Sequence, residues 1–289
     1  MGLVNAVSDL FFIEHNYKPI NGDVCFIGRQ TTYLEPDGFA RLINKHRVIL
    51  PADFRVDIDK ETMASTNGQF VDDKTIIRAL GGKFHSIDVS EYEGADFVAD
   101  LSVPIPKKLR NRFDFIYEGS CLDNIFNPAQ AIINCSTMLR PGGRMMVVNH
   151  ADNFSGPYTM FSVGWFFDYF CANRYADCQV YLVVFSDIAQ LYAGAMPTFY
   201  YNWKNSKQGN NPVLPDQMHA VIIVIAEKGE DSTNDVAPVQ FQYRDRDYQE
   251  SVFSENAMRI ESSARPVFGL GDRKAIQDSF APCGLLGAI

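Results

Sequence analysis

Residues 113–148 constrain the fold of this chain more than any other part. An apolar run at 113–117 precedes a helical pattern at 128–139, a Pro-Gly-Gly turn at 141–143 and a second apolar run at 144–148. Two buried strands that are joined by a helix form a parallel crossover. The segment therefore predicts an α/β fold with a parallel sheet, and open sheets of this kind bind ligands where their strands end.

The same alternation of short apolar runs and helical patterns continues on both sides of this segment. The further predicted strands are 23–27, 84–87, 97–98, 179–185 and 220–226, and the further predicted helices are 36–46, 72–80 and 161–175. The last two strands are long β-branched runs, which favour an antiparallel pair. We therefore expect a doubly wound, mostly parallel seven-stranded sheet with an antiparallel last strand.

Composition and charge exclude several classes of function. The 289 residues carry a formal net charge of -9, and a surface of that sign repels nucleic-acid backbones. The six cysteines show no CxxC pair and no zinc-type Cys/His spacing, so we predict no metal site and a reducing compartment. Neither a signal peptide nor an apolar run of transmembrane length is evident, which predicts a cytoplasmic protein without a membrane partner.

The chain divides at an acidic, polar stretch, 229–236. We expect one domain over 1–228 and a C-terminal extension over 229–289, which lacks strong periodicity.

Glycine or polar residues follow four successive predicted strands. They are Gly28, Arg29 and Gln30; Asp88; Asp100, with Leu101 beside it; and Glu118, Gly119 and Ser120. Each set by itself also suits a structural role, such as a tight turn after a strand or an Asx turn. We expect Glu118 to meet solvent in a cleft or to pair with a cation, since an unpaired buried carboxylate is costly. Together, the four sets predict one ligand site at the carboxyl edge of the sheet.

Two further features belong to the same edge. His150 follows the strand at 144–148 and is either a hydrogen-bonded structural residue or a general base. The aromatic stretch 154–175 suits a helix that packs on the sheet, and its residues can also line a pocket. Carboxylate pairs for glycoside hydrolysis, a G-x-S-x-G elbow, a Walker loop and an H-E-x-x-H pair are absent from the sequence.

These segments together resemble class I S-adenosylmethionine-dependent methyltransferases. The resemblance extends from about residue 23 to about residue 226. It is carried by IDVSEYEGADFVADLSVPIP (87–106), by the whole of 113–148 and by SGPYTMFSVGWFFDYFCANRY (155–175). The LRPGG turn is similar to the LKPGG of that class, and the GRQ after the first strand is similar to one of its less common branches. The resemblance implies a Rossmann-like fold and S-adenosylmethionine as cofactor.

The resemblance also implies roles for particular residues. Gly28, with Arg29 and Gln30, would face the methionine moiety, and Asp88, with Val89 and Ser90, would hold the ribose hydroxyls. Asp100 and Leu101 would frame the adenine, while Glu118, Gly119 and Ser120 would line the methionine end. Tyr158, Phe161 and Trp165 would cap the substrate side. His150 would serve as the base for an acceptor that carries a proton.

The expected function is methyl transfer to a small molecule, such as a sugar, a glycan precursor or a secondary metabolite. The sequence lacks the N-P-P-Y motif of enzymes that methylate nucleic-acid amino groups, which agrees with its acidic charge. The first loop has one glycine where nucleotide-binding loops usually have several, so a catalytically inactive binding or scaffolding subunit is the alternative. A nicotinamide-dependent oxidoreductase lacks support, because no tyrosine at 92, 117 or 158 has a lysine four residues on.

Overall fold

The computed structural model describes residues 2–152, 156–185, 199–203, 219–240 and 249–262. Its strands are β1 (Gly22–Ile27), β2 (Gly82–Asp88), β3 (Phe97–Val98), β4 (Phe113–Gly119), β5 (Leu139–His150), β6 (Asp177–Phe185), β7 (Phe199–Trp203) and β8 (His219–Glu227). Its helices are α1 (Asn5–Tyr17), α2 (Pro36–His46), α3 (Asp73–Ala79), α4 (Pro128–Met138), α5 (Val163–Ala172) and α6 (Gln249–Glu261).

The eight strands form one sheet in the order β3-β2-β1-β4-β5-β8-β6-β7. The first five strands along this order are parallel to one another. β8 is antiparallel to both β5 and β6, so β6 has the same direction as β5. The predicted fold class, a mostly parallel sheet with an antiparallel last strand, is confirmed. The eighth strand, β7, was not predicted and adds an edge beyond β6.

Helices cover both faces of the sheet because side chains alternate along the buried strands. On one face Phe26 packs in a core shared with α1, α2 and α3, while its neighbour Cys25 faces a second core shared with α4, α5 and α6. Local signals fix the start of one of these helices, α4. Asn127 accepts a hydrogen bond from the backbone of Gln130 at the start of α4, and Pro128 occupies its first turn.

Elements α1 and β5 also differ from the sequence prediction. α1 was not predicted, although Val7, Leu10 and Phe11 have helical i, i+3, i+4 spacing and are all buried. β5 begins at Leu139 rather than at 144, because a register shift opposite Phe113 admits the Pro-Gly-Gly turn into the strand.

The described part of the C-terminal extension contributes to the core. Phe253, Ala257 and Ile260 of α6 are buried in the same cluster as the apolar residues of α5. The domain boundary at 228 stays a prediction. No helix within the described ranges is both long enough and apolar enough to cross a membrane.

Candidate functional site

The loops after β1, β2, β3 and β4 enclose a cavity of about 400 Å³ at the carboxyl edge of the sheet. Six of the predicted site residues line it: Gly28, Asp88, Val89, Asp100, Leu101 and Ser120. Parallel strands bring their ends to one edge, which is why residues far apart in sequence meet here. The turn after β4 supplies further walls, including Cys121 and Phe126.

Gly28 and Asp88 lie next to each other in the wall of this cavity. Gly28 has φ +70°, a conformation that favours glycine, and a Cβ at this position would lie 3.7 Å from Asp88 Oδ2. Asp88 Oδ1 accepts a hydrogen bond from the backbone of Val89 at 2.6 Å. Asp88 Oδ2 has no hydrogen-bond partner among the described residues, so it is available to a ligand hydroxyl.

Asp100 and Leu101 form the wall at the end of β3. Asp100 is exposed, and its Oδ1 accepts a hydrogen bond from the backbone of Ser102 at 2.8 Å. Hydrogen bonds from the hydroxyl and the backbone of Ser102 lower the pKa of the Asp100 carboxyl. Leu101 is buried beside it and supplies apolar surface. Ser90, after β2, is exposed and accepts a hydrogen bond from the backbone of Tyr92 at 3.2 Å. It is not among the described residues that line the cavity.

Arg29 is not among the described residues that line the cavity. Its guanidinium is buried and binds Asp73 at 2.8 Å, Glu61 at 2.5 Å and Asp72 at 3.3 Å. Burial opposes the charge, but these carboxylates outweigh it and raise the pKa of Arg29. Asp73 also accepts a hydrogen bond from the backbone of Gln30 at 2.9 Å. Asp73 therefore fixes the loop after β1 through both a side chain and the backbone.

The Gln30 side chain fills the space between the ends of β1 and β4. A Cβ on Gly119 would lie 2.5 Å from Gln30 Oε1 and 2.7 Å from Cε1 of Tyr117. Glycine at 119 thus permits the close approach of these two loops, and neither Gln30 nor Gly119 is among the described residues that line the cavity.

Glu118 is buried from solvent and pairs with no cation among the described residues, so both expectations for it were wrong. Its carboxylate is fully buried and accepts hydrogen bonds from the backbones of Cys121 and Leu122 and from Asn149 Nδ2. Burial raises the pKa of Glu118 to about 7, while these hydrogen bonds oppose the rise. Glu118 is not among the described residues that line the cavity. Its hydrogen bonds hold the turn after β4 in place.

That turn joins Ser120, Asp123 and His150 in one hydrogen-bonded group. Asp123 Oδ2 accepts hydrogen bonds from Ser120 Oγ at 2.7 Å and from His150 Nδ1 at 2.7 Å. Burial alone raises the pKa of Asp123, but the bonds from His150 and Ser120 outweigh it and lower that pKa. Because an ionised Asp123 can only accept, the proton of His150 lies on Nδ1 and leaves Nε2 as an acceptor.

This group differs from a serine hydrolase triad. In such a triad the serine hydroxyl binds Nε2 of the histidine and the aspartate binds Nδ1. Here Ser120 Oγ lies 3.0 Å from Nδ1 of His150, on the same side of the ring as Asp123. The group therefore orients an imidazole and does not activate a serine.

The three predicted substrate residues lie in three different surroundings. Tyr158 is exposed and packs edge-on against Phe126, which lines the cavity. Phe161 is buried in the core against Trp165 and Phe166. Trp165 lines a second cavity of about 520 Å³ between α4, α5 and residues 236–240. Among the three, only Tyr158 adjoins the cavity at Gly28.

The sequence prediction missed three residues that shape the site: Asp73, Asp123 and Phe126. Asp123 has a local signal, because Ser-x-x-Asp after a strand favours a side-chain hydrogen bond within a turn. Phe126 also has one, since an aromatic residue stands alone in a polar turn. No local sequence signal indicates that Asp73 binds the loop after β1, because its partner Arg29 is distant in the sequence.

Comparisons with known proteins give similar structures but no sequence relatives. No known family profile matches the chain, and no curated protein matches it significantly.

Three solved structures illustrate the similarity. The CMeT domain of the citrinin polyketide synthase is 10% identical with a TM-score of 0.40, over 78% of this chain and 52% of that chain. YcgJ of Bacillus subtilis is 12% identical with a TM-score of 0.40, over 77% of this chain and 98% of that chain. The O-methyltransferase from the trans-AT PKS multienzyme of Brevibacillus brevis, in complex with S-adenosyl-L-homocysteine, is 12% identical with a TM-score of 0.39, over 89% of this chain and 78% of that chain.

The matched region spans about half the length of the citrinin chain. The strand order of this chain itself establishes the fold, with the antiparallel β8 between β5 and β6 at one end of a parallel sheet. The chain has the Rossmann-like, mostly parallel sheet that the resemblance to class I S-adenosylmethionine-dependent methyltransferases implied.

Proposed function

We propose that this chain is an S-adenosylmethionine-dependent methyltransferase that acts on a small-molecule acceptor. The observation that carries the proposal is the arrangement of Gly28 and Asp88 at the carboxyl edge of the sheet. A carboxylate oxygen of Asp88 without a hydrogen-bond partner in the described chain lies beside Gly28, where a Cβ would come within 3.7 Å of that oxygen and 3.3 Å of Cys121 Sγ. A ribose needs an acceptor for its hydroxyls and close approach to the backbone, and this arrangement supplies both.

The other residues of the cavity suit the rest of the cofactor. Asp100 can accept from an adenine amino group, and Leu101 offers apolar surface to the ring. Two carboxylates at the cavity also favour a cationic ligand over an anionic one. When bound, S-adenosylmethionine supplies an activated methyl group on a sulfonium ion. The chain then needs mainly to hold the acceptor in line, which contributes roughly 7–11 kcal/mol to lowering the barrier.

His150 is the base in this proposal. Ser120 lines the cavity and lies 3.0 Å from His150 Nδ1, so the imidazole adjoins the cavity wall. With its Nδ1 proton held by Asp123, His150 can take a proton only at Nε2. A proton acceptor is required when the acceptor group is a hydroxyl.

Calorimetric titration with S-adenosylhomocysteine tests the proposal. We expect the wild type to bind it and Asp88→Ala to weaken the affinity about ten- to a hundred-fold, because buried hydroxyls lose a charged acceptor. Asp53→Ala is the matched control, since Asp53 is an exposed aspartate outside the cavity. Titration with NADH separates this function from that of a nicotinamide-dependent enzyme.

Two results would contradict the proposal. One is the absence of any heat or thermal shift with millimolar S-adenosylhomocysteine. The other is an Asp88→Ala variant that binds as tightly as the Asp53→Ala variant, which would remove Asp88 from the site.

A further inference from the structure

Two aromatic side chains are exposed at the rim of the cavity. Phe126 is 87% exposed and Tyr158 is 74% exposed, and their ring centroids lie 6.0 Å apart at an interplanar angle of 82°. Burying a ring of this size is favourable, so two neighbouring rings left in water are typical of a binding surface. The pair offers one face and one edge to a flat, apolar group.

The backbone beside Tyr158 is fixed to the residues that orient the base. Thr159 donates a backbone hydrogen bond to the carbonyl of Asp123 at 3.1 Å, and Phe161 donates one to the carbonyl of His150 at 3.3 Å. The segment that carries the exposed ring thus runs beside the Asp123–His150 pair. A molecule that rests on the two rings therefore lies beside the segment that is bound to the backbone of Asp123 and His150.

The charges around the cavity disfavour an anionic acceptor. None of the described residues that line it carries a positive charge, whereas Asp88 and Asp100 are both acidic. Phosphate and carboxylate groups in binding sites are normally held by Arg or Lys or by helix N-termini. The cavity therefore disfavours a phosphorylated sugar or a nucleotide-linked glycan precursor.

We propose that Phe126 and Tyr158 form the acceptor subsite and that the acceptor is an uncharged planar aromatic molecule with a phenolic hydroxyl. This inference rests on the proposed function and narrows it from small molecules in general. The ring of the acceptor packs on the aromatic pair, and its hydroxyl reaches Nε2 of His150.

The chemical step balances with these groups. The hydroxyl oxygen forms the new O–CH3 bond. The bond between the methyl carbon and the sulfonium sulfur breaks, and its electron pair stays on sulfur as a neutral thioether. The hydroxyl proton passes to His150 Nε2 and from there to solvent. Asp123 acts as a positioning residue that stabilises the charged imidazole.

The probe for the test is 7-hydroxycoumarin, a fluorescent planar phenol, titrated into protein saturated with S-adenosylhomocysteine. We expect Tyr158→Ala and Phe126→Ala each to weaken its binding about ten-fold, since each removes one aromatic contact. Tyr92→Ala is the matched control, because Tyr92 is also exposed but forms no ring contact with Phe126 in the described part of the chain. Both rings are on the surface, so these variants are expected to fold.

A second readout follows methyl transfer from S-adenosylmethionine to 7-hydroxycoumarin by mass spectrometry. We expect His150→Gln to bind the coumarin as the wild type does and to form about a hundred-fold less methyl ether.

The inference is overturned if S-adenosylhomocysteine binds but the coumarin neither binds nor is methylated. It is also overturned if Tyr158→Ala binds the coumarin unchanged, or if methyl α-glucoside binds more tightly than the coumarin. Failure of S-adenosylhomocysteine itself to bind would instead contradict the proposed function.

Discussion

The loop after β1 and the turn after β4 leave the same edge of the sheet but are held in different ways. The loop after β1 is fixed from a distance, because Asp73 binds both the Arg29 guanidinium and the backbone of Gln30. The turn after β4 is fixed locally, because Glu118 lies on its own strand and Asn149 on the neighbouring one.

This difference determines what each segment offers to a ligand. In the loop after β1 the Arg29 guanidinium is held in ion pairs and the Gln30 side chain lies against Gly119, so Gly28 lines the cavity. In the turn after β4 the buried Glu118 and Asn149 hold the backbone, and Ser120 lines the cavity while it is hydrogen-bonded to Asp123. The first segment thus contributes a glycine to the cavity wall, and the second contributes a hydrogen-bonded serine.

The largest expected loss of stability follows from a substitution in the loop after β1. Arg29→Met leaves Asp73 buried without its cation and is expected to lower the free energy of unfolding by about 3–5 kcal/mol. Urea denaturation measures this, with Arg78→Met as the control. Arg78 forms an exposed ion pair with Asp57, whose loss is expected to cost at most about 1 kcal/mol. Equal losses in the two variants would contradict the role given to Arg29.

The turn after β4 is expected to show a pH dependence of stability. Burial raises the pKa of Glu118 from 4.5 to about 7, so the folded chain holds this proton more tightly than the unfolded chain. The stabilisation is therefore present at low pH and is lost as the pH rises from about 4.5 to about 7. The loss amounts to about 2–3 kcal/mol over this window.

Comparison with Glu118→Gln isolates this contribution. The free energy of unfolding of the wild type, relative to that of the variant, is expected to fall between about pH 5 and pH 7 and to stay level above pH 7. A difference that does not change with pH would show that Glu118 titrates alike in the folded and unfolded chains.

A smaller loss of stability is expected from a substitution at Gly119, where the loop after β1 contacts the end of β4. Gly119→Ala places a Cβ 2.7 Å from the buried ring of Tyr117 and is expected to cost about 1–3 kcal/mol. Gly164→Ala is the control, because its nearest neighbour, Ser162 Oγ, is 3.9 Å away. Thermal unfolding measures both, and a neutral Gly119→Ala would mean that the two loops need no glycine at their contact.

The sequence predicts what depends on local pattern. Asp88 and Asp100 could be placed at the cavity because each follows an apolar run, and parallel strands bring such ends together. The antiparallel last strand was predictable from the β-branched run at 220–226. β7 was missed, because the aromatic run Phe199–Trp203, although typical of a strand, is short and is followed directly by a polar stretch.

The directions of side chains were less predictable. Arg29 follows Gly28 directly, yet its partner Asp73 is 44 residues away, so no local pattern indicates that Arg29 turns inward. Glu118 was misjudged for a similar reason. Its hydrogen-bond donors are mainly backbone groups of its own turn, whose geometry depends on the packing of β4 and β5.

The structure of the chain in complex with S-adenosylhomocysteine tests the central claim most directly. The account predicts the adenosyl group in the cavity between Gly28 and Leu101, with the ribose hydroxyls within hydrogen-bond distance of Asp88 Oδ2. A ligand bound instead in the cavity beside Trp165, or a ribose that makes no contact with Asp88, would contradict it.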